Sequence, residues 1–98
     1  MILTDKCKEE FLKSVYACNE WEVDEIYLNA LIIEFFDSVG IYIWTMPSLR
    51  VETKWTYRVF KTIFTEDIKQ HAYIYNSRSE ATQSAITKAN EIFNNLNK

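Results

Sequence analysis

The chain has 98 residues, is 48% hydrophobic and 15% aromatic, and carries a formal net charge of −3. That length holds one modest core, and that composition excludes disorder. A single glycine and a single proline exclude Gly-rich phosphate cradles of the P-loop or dinucleotide-binding kind.

The first predicted element is a helix over residues 5–19, with Thr4 as its N-cap. Cys7, Phe11, Val15 and Cys18 step by four, four and three along it and form one buried stripe, widened by Leu12. Cys7 and Cys18 share that face but stand about 16 Å apart along the axis, too far for a disulfide. Both read as reduced core residues.

Residues 20–25, Glu-Trp-Glu-Val-Asp-Glu, make an acidic connection in which Asp24 can cap the next helix. They lack the glycine and regular oxygen spacing of a calcium loop. The second helix covers 25–39 and ends at Gly40, a suitable residue just beyond a helix end. Its apolar residues lie almost all round, so it needs cover on most sides. A homodimer through this helix and an internal solution both answer that need.

Ile41 to Met46 is β-branched and aromatic and stops at Pro47, as a strand does. Residues 50–61 alternate as a half-buried antiparallel strand. Val51, Thr53, Trp55, Tyr57 and Val59 take one side, and Arg50, Glu52, Lys54, Thr56 and Arg58 the other. The hairpin loop uses either Pro47-Ser48 or the polar run Glu52 to Lys54. Thr65-Glu66-Asp67 is a turn before a third strand at 68–75, which runs into a helix over 78–96. Ser77 and Glu80 fit a capping box for that helix. Ala81, Ala85, Ala89, Ile92, Phe93 and Leu96 line its packed face. Residues 1–98 thus read as a single α+β domain in the order α-α-β-β-β-α, with a three-stranded antiparallel meander packed against helices.

Catalytic chemistry finds little support. His71 is the one histidine and has no nucleophile or orienting acid beside it in sequence. No close-spaced ligand pair suggests zinc, and neither metal nor cofactor is expected. Glu9-Glu10 reads as a solvated pair. Glu34 and Asp37 lie at i,i+3 on the polar strip of the second helix, where they solvate it or meet a basic partner.

Charge is divided along the chain. Residues 1–40 hold nine acids and three bases; residues 41–98 hold five acids and eight bases. Glu20, Glu22, Asp24 and Glu25 form an acidic surface that could compete with nucleic acid for a basic groove. Arg50, Lys54, Arg58 and Lys61, near Trp44, Trp55 and Tyr57, form a basic strand of the kind that binds single-stranded nucleic acid. The alternation argues against one merged platform, because Trp55 and Tyr57 should face away from the bases. No apolar run reaches the roughly 20 residues that span a bilayer. The start Met-Ile-Leu-Thr-Asp-Lys has no basic region followed by an apolar stretch. The expected compartment is the cytoplasm of a bacterial host cell, without membrane contact.

Trp44-Thr-Met-Pro47, the strand Ala72 to Tyr75, and Ser77-Arg-Ser-Glu-Ala81 leading to Ala85, Ala89-Asn90 and Ile92 carry a resemblance. Residues 40–96 resemble small phage and prophage α+β proteins of Bacteroidetes-type bacteria, in the manner of phage α-β-α sandwich domains. The resemblance implies a phage accessory protein acting inside a bacterial cell by binding, and transfers no catalytic residues. The expected function is therefore non-enzymatic binding of a bacterial or phage protein, as an inhibitor of a defence or host complex. A nucleic-acid-binding module built on the basic strand is the alternative.

Overall fold

The computed structural model describes residues 2–14, 24–49, 51–61 and 74–97. Their order is α1 (Asp5–Ser14), α2 (Glu25–Ser38), β1 (Tyr42–Pro47), β2 (Trp55–Phe60) and α3 (Arg78–Leu96). The fold is α+β, with a two-stranded antiparallel sheet among the described residues. Most of the expected third strand lies outside the described residues, and its last residue, Tyr75, forms an isolated antiparallel bridge to Trp55. Both backbone hydrogen bonds of that bridge are 2.8 Å.

Local chemistry explains the helix ends. Asp24 is extended, and its Oδ1 accepts from the Tyr27 N–H at 3.0 Å, satisfying a donor that the helix leaves open. α2 closes in a Schellman motif. The Gly40 N–H donates to the Asp37 carbonyl and the Ile41 N–H to the Phe36 carbonyl, with Gly40 at φ 83°, a conformation glycine adopts without steric penalty. Ile41, directly after it, is buried. At α3 the Ser77 Oγ accepts from the Glu80 N–H at 3.2 Å. The Glu80 carboxylate reaches back to the Asn76 N–H at 3.0 Å, one residue earlier than a capping box requires.

The start of α1 departs from expectation. Thr4 is not a simple N-cap, because its hydroxyl accepts from Asn90 Nδ2 at 3.0 Å. The capping oxygen comes instead from α3, where Asn94 Oδ1 accepts from the Cys7 N–H at 2.8 Å. Asn90 Oδ1 accepts from the Thr4 N–H at 2.9 Å. Two asparagines of the last helix thus fasten the first. Cys7 and Phe11 are buried as the stripe requires, but Leu12 is exposed and does not widen it. Val15 and Cys18 lie outside the described residues.

All three helices share one core with the sheet. Phe11, Ile32, Phe35, Phe36, Ile41, Ile43, Val59, Ile86 and Phe93 belong to it. Ala81, Ala85 and Ala89 are fully buried, and their small size lets α3 lie close to the strands. Leu96 is exposed, so the packed face of α3 ends at Phe93. Arg78, the first residue of α3, holds its guanidinium 4.4 Å from the Trp55 ring centroid, a cation–π contact between helix start and sheet.

Pro47 ends β1 opposite Trp55, and the hairpin loop runs from Ser48 through the polar run Glu52 to Lys54. The Ser48 N–H donates to the Lys54 carbonyl at 2.8 Å, and the Lys54 N–H reaches the Val51 carbonyl at 3.4 Å. Residues 51–54 are therefore a turn, and the strand expected from residue 50 begins at Trp55. Thr53 sits at φ 63° in the third position of this turn, where a type II geometry favours glycine or asparagine. A β-branched residue is strained there. Thr53→Gly is expected to raise stability by about 1 kcal/mol, or roughly 4–8 °C in Tm. Thermal unfolding by circular dichroism checks this; an unchanged or lower Tm would contradict a strained turn.

Candidate interaction face on the hairpin

The register places Tyr42 opposite Phe60, Ile43 opposite Val59, Trp44 opposite Arg58, Thr45 opposite Tyr57, Met46 opposite Thr56 and Pro47 opposite Trp55. Side chains alternate along each strand, so these pairs divide into two faces. Ile43 and Val59 are the buried pair and point toward the helices. Trp55 and Tyr57 share their side, with Tyr57 packed 6.0 Å from Tyr75.

The opposite face carries Tyr42, Trp44, Met46, Thr56, Arg58 and Phe60. The Trp44 and Phe60 rings meet edge to face at 4.8 Å, an arrangement favoured by the ring quadrupoles. The Arg58 guanidinium lies 5.5 Å from the Phe60 centroid. Trp44 is 54% exposed, and beyond it the hairpin tip shows Leu49 at 99% and Val51 at 40%. An exposed indole and a cation on the outer face, and a solvent-facing leucine at the tip, have no role in closing the core described above.

The expected basic strand is divided by this geometry. Arg58 is on the outer face, and exposed Lys61 follows the strand end. Lys54 belongs to the turn, and its ammonium donates to Asn76 Oδ1. Arg50 lies outside the described residues. The aromatics divide as well: Trp44 faces out while Trp55 and Tyr57 face in. Phe60, missing from the sequence reading of this surface, shares the parity of Arg58, and that was the available signal.

The acidic surface is not brought together among the described residues. Glu20 and Glu22 lie outside them, Asp24 is spent on the α2 cap, and Glu25 is exposed in the first turn. His71 also lies outside the described residues. Cys7 is buried, and that burial pushes its thiol up to about 12, so it stays protonated at neutral pH and is a poor nucleophile. Glu34 and Asp37 are exposed. Partial burial, and then the neighbouring Glu34 charge, raise the Asp37 carboxyl above its ordinary value. Glu10 is flanked by Lys6 at 3.6 Å and Lys13 at 3.8 Å.

A shallow cleft of about 370 Å³ opens between the end of α3 and the α2–β1 junction, lined by Phe35, Val39, Ile41, Phe93, Glu10 and Asn97 among others. Its polar groups are already engaged. Glu10 pairs with its two lysines, and Asn97 Nδ2 donates to the Phe93 carbonyl at 2.8 Å. Such a cleft lacks the convergent polar groups that orient a small ligand. Among the described residues, no three His, Cys, Asp or Glu side chains stand close enough to hold a metal ion, and no helix is long and apolar enough to cross a membrane. No family model matches the chain, and no curated protein or solved structure matches it.

Proposed function

We propose that this chain is a binding protein rather than an enzyme, and that it docks on another protein through the outer face and tip of its hairpin. The observation that supports this reading is the outward cluster of Trp44, Phe60 and Arg58, with Leu49 exposed at the hairpin tip. Tryptophan and arginine dominate the binding energy of protein interfaces, and aromatic and methionine side chains are enriched there. The face therefore replaces the acidic connection as the preferred contact surface. The phage-type resemblance of residues 40–96 directs the proposal toward a bacterial or phage protein as partner, with inhibition of a host or defence complex as the consequence.

The test is capture of partners from a bacterial lysate by wild-type protein and by Leu49→Asp and Arg58→Glu variants, with nuclease-treated and untreated halves. Both residues are exposed, and thermal melts by circular dichroism verify that the variants are folded. Each should lose at least about tenfold in affinity for the captured protein, since hot-spot losses exceed 2 kcal/mol. Equal capture by all three proteins overturns the reading.

One observation favours a second reading. An arginine stacked on Phe60 beside Trp44 is also a platform on which bases stack. Binding that disappears with nuclease and weakens steeply with salt would select it.

A further inference from the structure

Two surfaces of this chain are complementary to each other. On α2, Ile26, Ala30, Glu34 and Asp37 step by four, four and three and lie along one face of the helix. Ile26 is 83% and Tyr27 54% exposed, and Ala30, Glu34 and Asp37 are exposed as well. The stripe is apolar at its start and doubly acidic at its end, and α2 carries no basic residue. The hairpin, residues 41–61, carries four bases and one acid. Its outer face carries the Arg58 cation and the Trp44 indole, Lys61 follows the strand end, and Leu49 is exposed at the tip.

The dimensions agree. Ile26 to Asp37 is eleven helical residues, about 16 Å. Arg58 stands opposite Trp44, and Trp44 to Leu49 is five residues, so the cation lies at most about 17 Å along the hairpin from its tip. An apolar start and an acidic end on the helix can therefore face an apolar tip and a cationic strand end on the hairpin in one alignment.

We infer that the occupant of the hairpin face is the α2 stripe of a second copy of this chain, with Glu34 and Asp37 facing Arg58 and Lys61 and with Ile26 and Tyr27 facing Leu49 at the hairpin tip. Each copy carries both surfaces, so two such contacts related by a twofold axis close a dimer. The same contact covers the apolar side of α2 that the other described residues leave exposed. This inference rests on the hairpin as docking surface and makes a second copy its occupant, in place of a bacterial or phage protein.

Charge reversal tests it. In the double variant Glu34→Lys with Asp37→Lys, both surfaces become basic; in Arg58→Glu with Lys61→Glu, both become acidic. Sedimentation equilibrium at low salt should show a wild-type dimer. Each variant alone should self-associate at least ~100-fold more weakly, because like charges across an interface cost several kcal/mol. An equimolar mixture of the two should restore a one-to-one dimer, since each basic surface then meets an acidic one. Circular dichroism melts confirm that both variants are folded. A wild type that stays monomeric, or a mixture that stays monomeric, overturns the inference. If Leu49→Asp still abolishes capture of another protein from lysate, the hairpin reading survives that failure; if it does not, both fall together.

Discussion

Truncating Phe35 to alanine should cost about 3–5 kcal/mol of stability, the range for removing a buried aromatic ring. Phe35 is the hub of the aromatic core. Its ring lies 5.7 Å from Phe11 of α1, 5.4 Å from Phe36 of its own helix and 5.7 Å from Phe93 of α3. The contact to Phe11 is edge to face, at an interplanar angle of 78°, and such pairs contribute about 0.5–1.5 kcal/mol beyond the buried area. Phe35→Ala therefore weakens the junction of all three helices at once and leaves a void that three rigid rings cannot easily fill. A domain of this size has roughly 5–15 kcal/mol in total, so the variant is left with a fraction of it. Thermal unfolding should show a Tm lower by about 12 °C or more. Phe35→Leu, which keeps most of the volume, should lose much less. A loss below about 1 kcal/mol for the alanine variant would mean that the three rings do not pack as described.

What the amino-acid sequence revealed and what it concealed divide along the range of the interactions. The caps at Asp24, Gly40 and Ser77 were legible because each bond spans only a few residues, and a short polar side chain or a glycine has few other reasons to stand there. The inward turn of Trp55, Tyr57 and Val59 was legible from alternation alone. The grouping of Trp44 with Trp55 and Tyr57 failed because it needs the register between strands. That register follows from where the loop closes, at Ser48 and Lys54, and the composition of residues 47–54 permits more than one closure. Val51 and Thr53 continue the alternation of the strand but belong to the turn, so the period persisted past the structure that produces it.

Asn90 was missed for a different reason. It lies on the line Ile86, Asn90, Phe93, spaced four and three, on the packed side of α3. Polarity places an asparagine in water by default, and only its distant partners make burial tolerable. The same holds for Thr4, which has the right composition for a cap and is used as a long-range anchor instead. A sequence shows which residues can make such bonds, but not that residues 86 positions apart will meet.

That anchor carries the second large effect. Asn90 is 8% exposed, and it both accepts from the Thr4 N–H and donates to the Thr4 hydroxyl. Asn90→Ala removes both bonds and leaves a backbone donor beside a cavity. The site is only part-buried, and each lost hydrogen bond costs about 0.5–1.5 kcal/mol, so the expected loss for the pair is about 1–3 kcal/mol. Asn94 also has its amide on Thr4, at 3.2 Å to the carbonyl, and can recover only part of the lost bonding while its Oδ1 holds the Cys7 N–H. Asn94→Ala removes a cap at a more open position and should cost about 1 kcal/mol. The bonds join residues near opposite ends of the described chain, and contacts so distant in sequence bear a large loop-closure cost before they form. They should therefore form late in folding, so that Asn90→Ala mainly accelerates unfolding and barely changes the refolding rate. Stopped-flow kinetics in denaturant separate the two arms. A variant that refolds several-fold more slowly, with unfolding unchanged, would show that the first and last helices meet early.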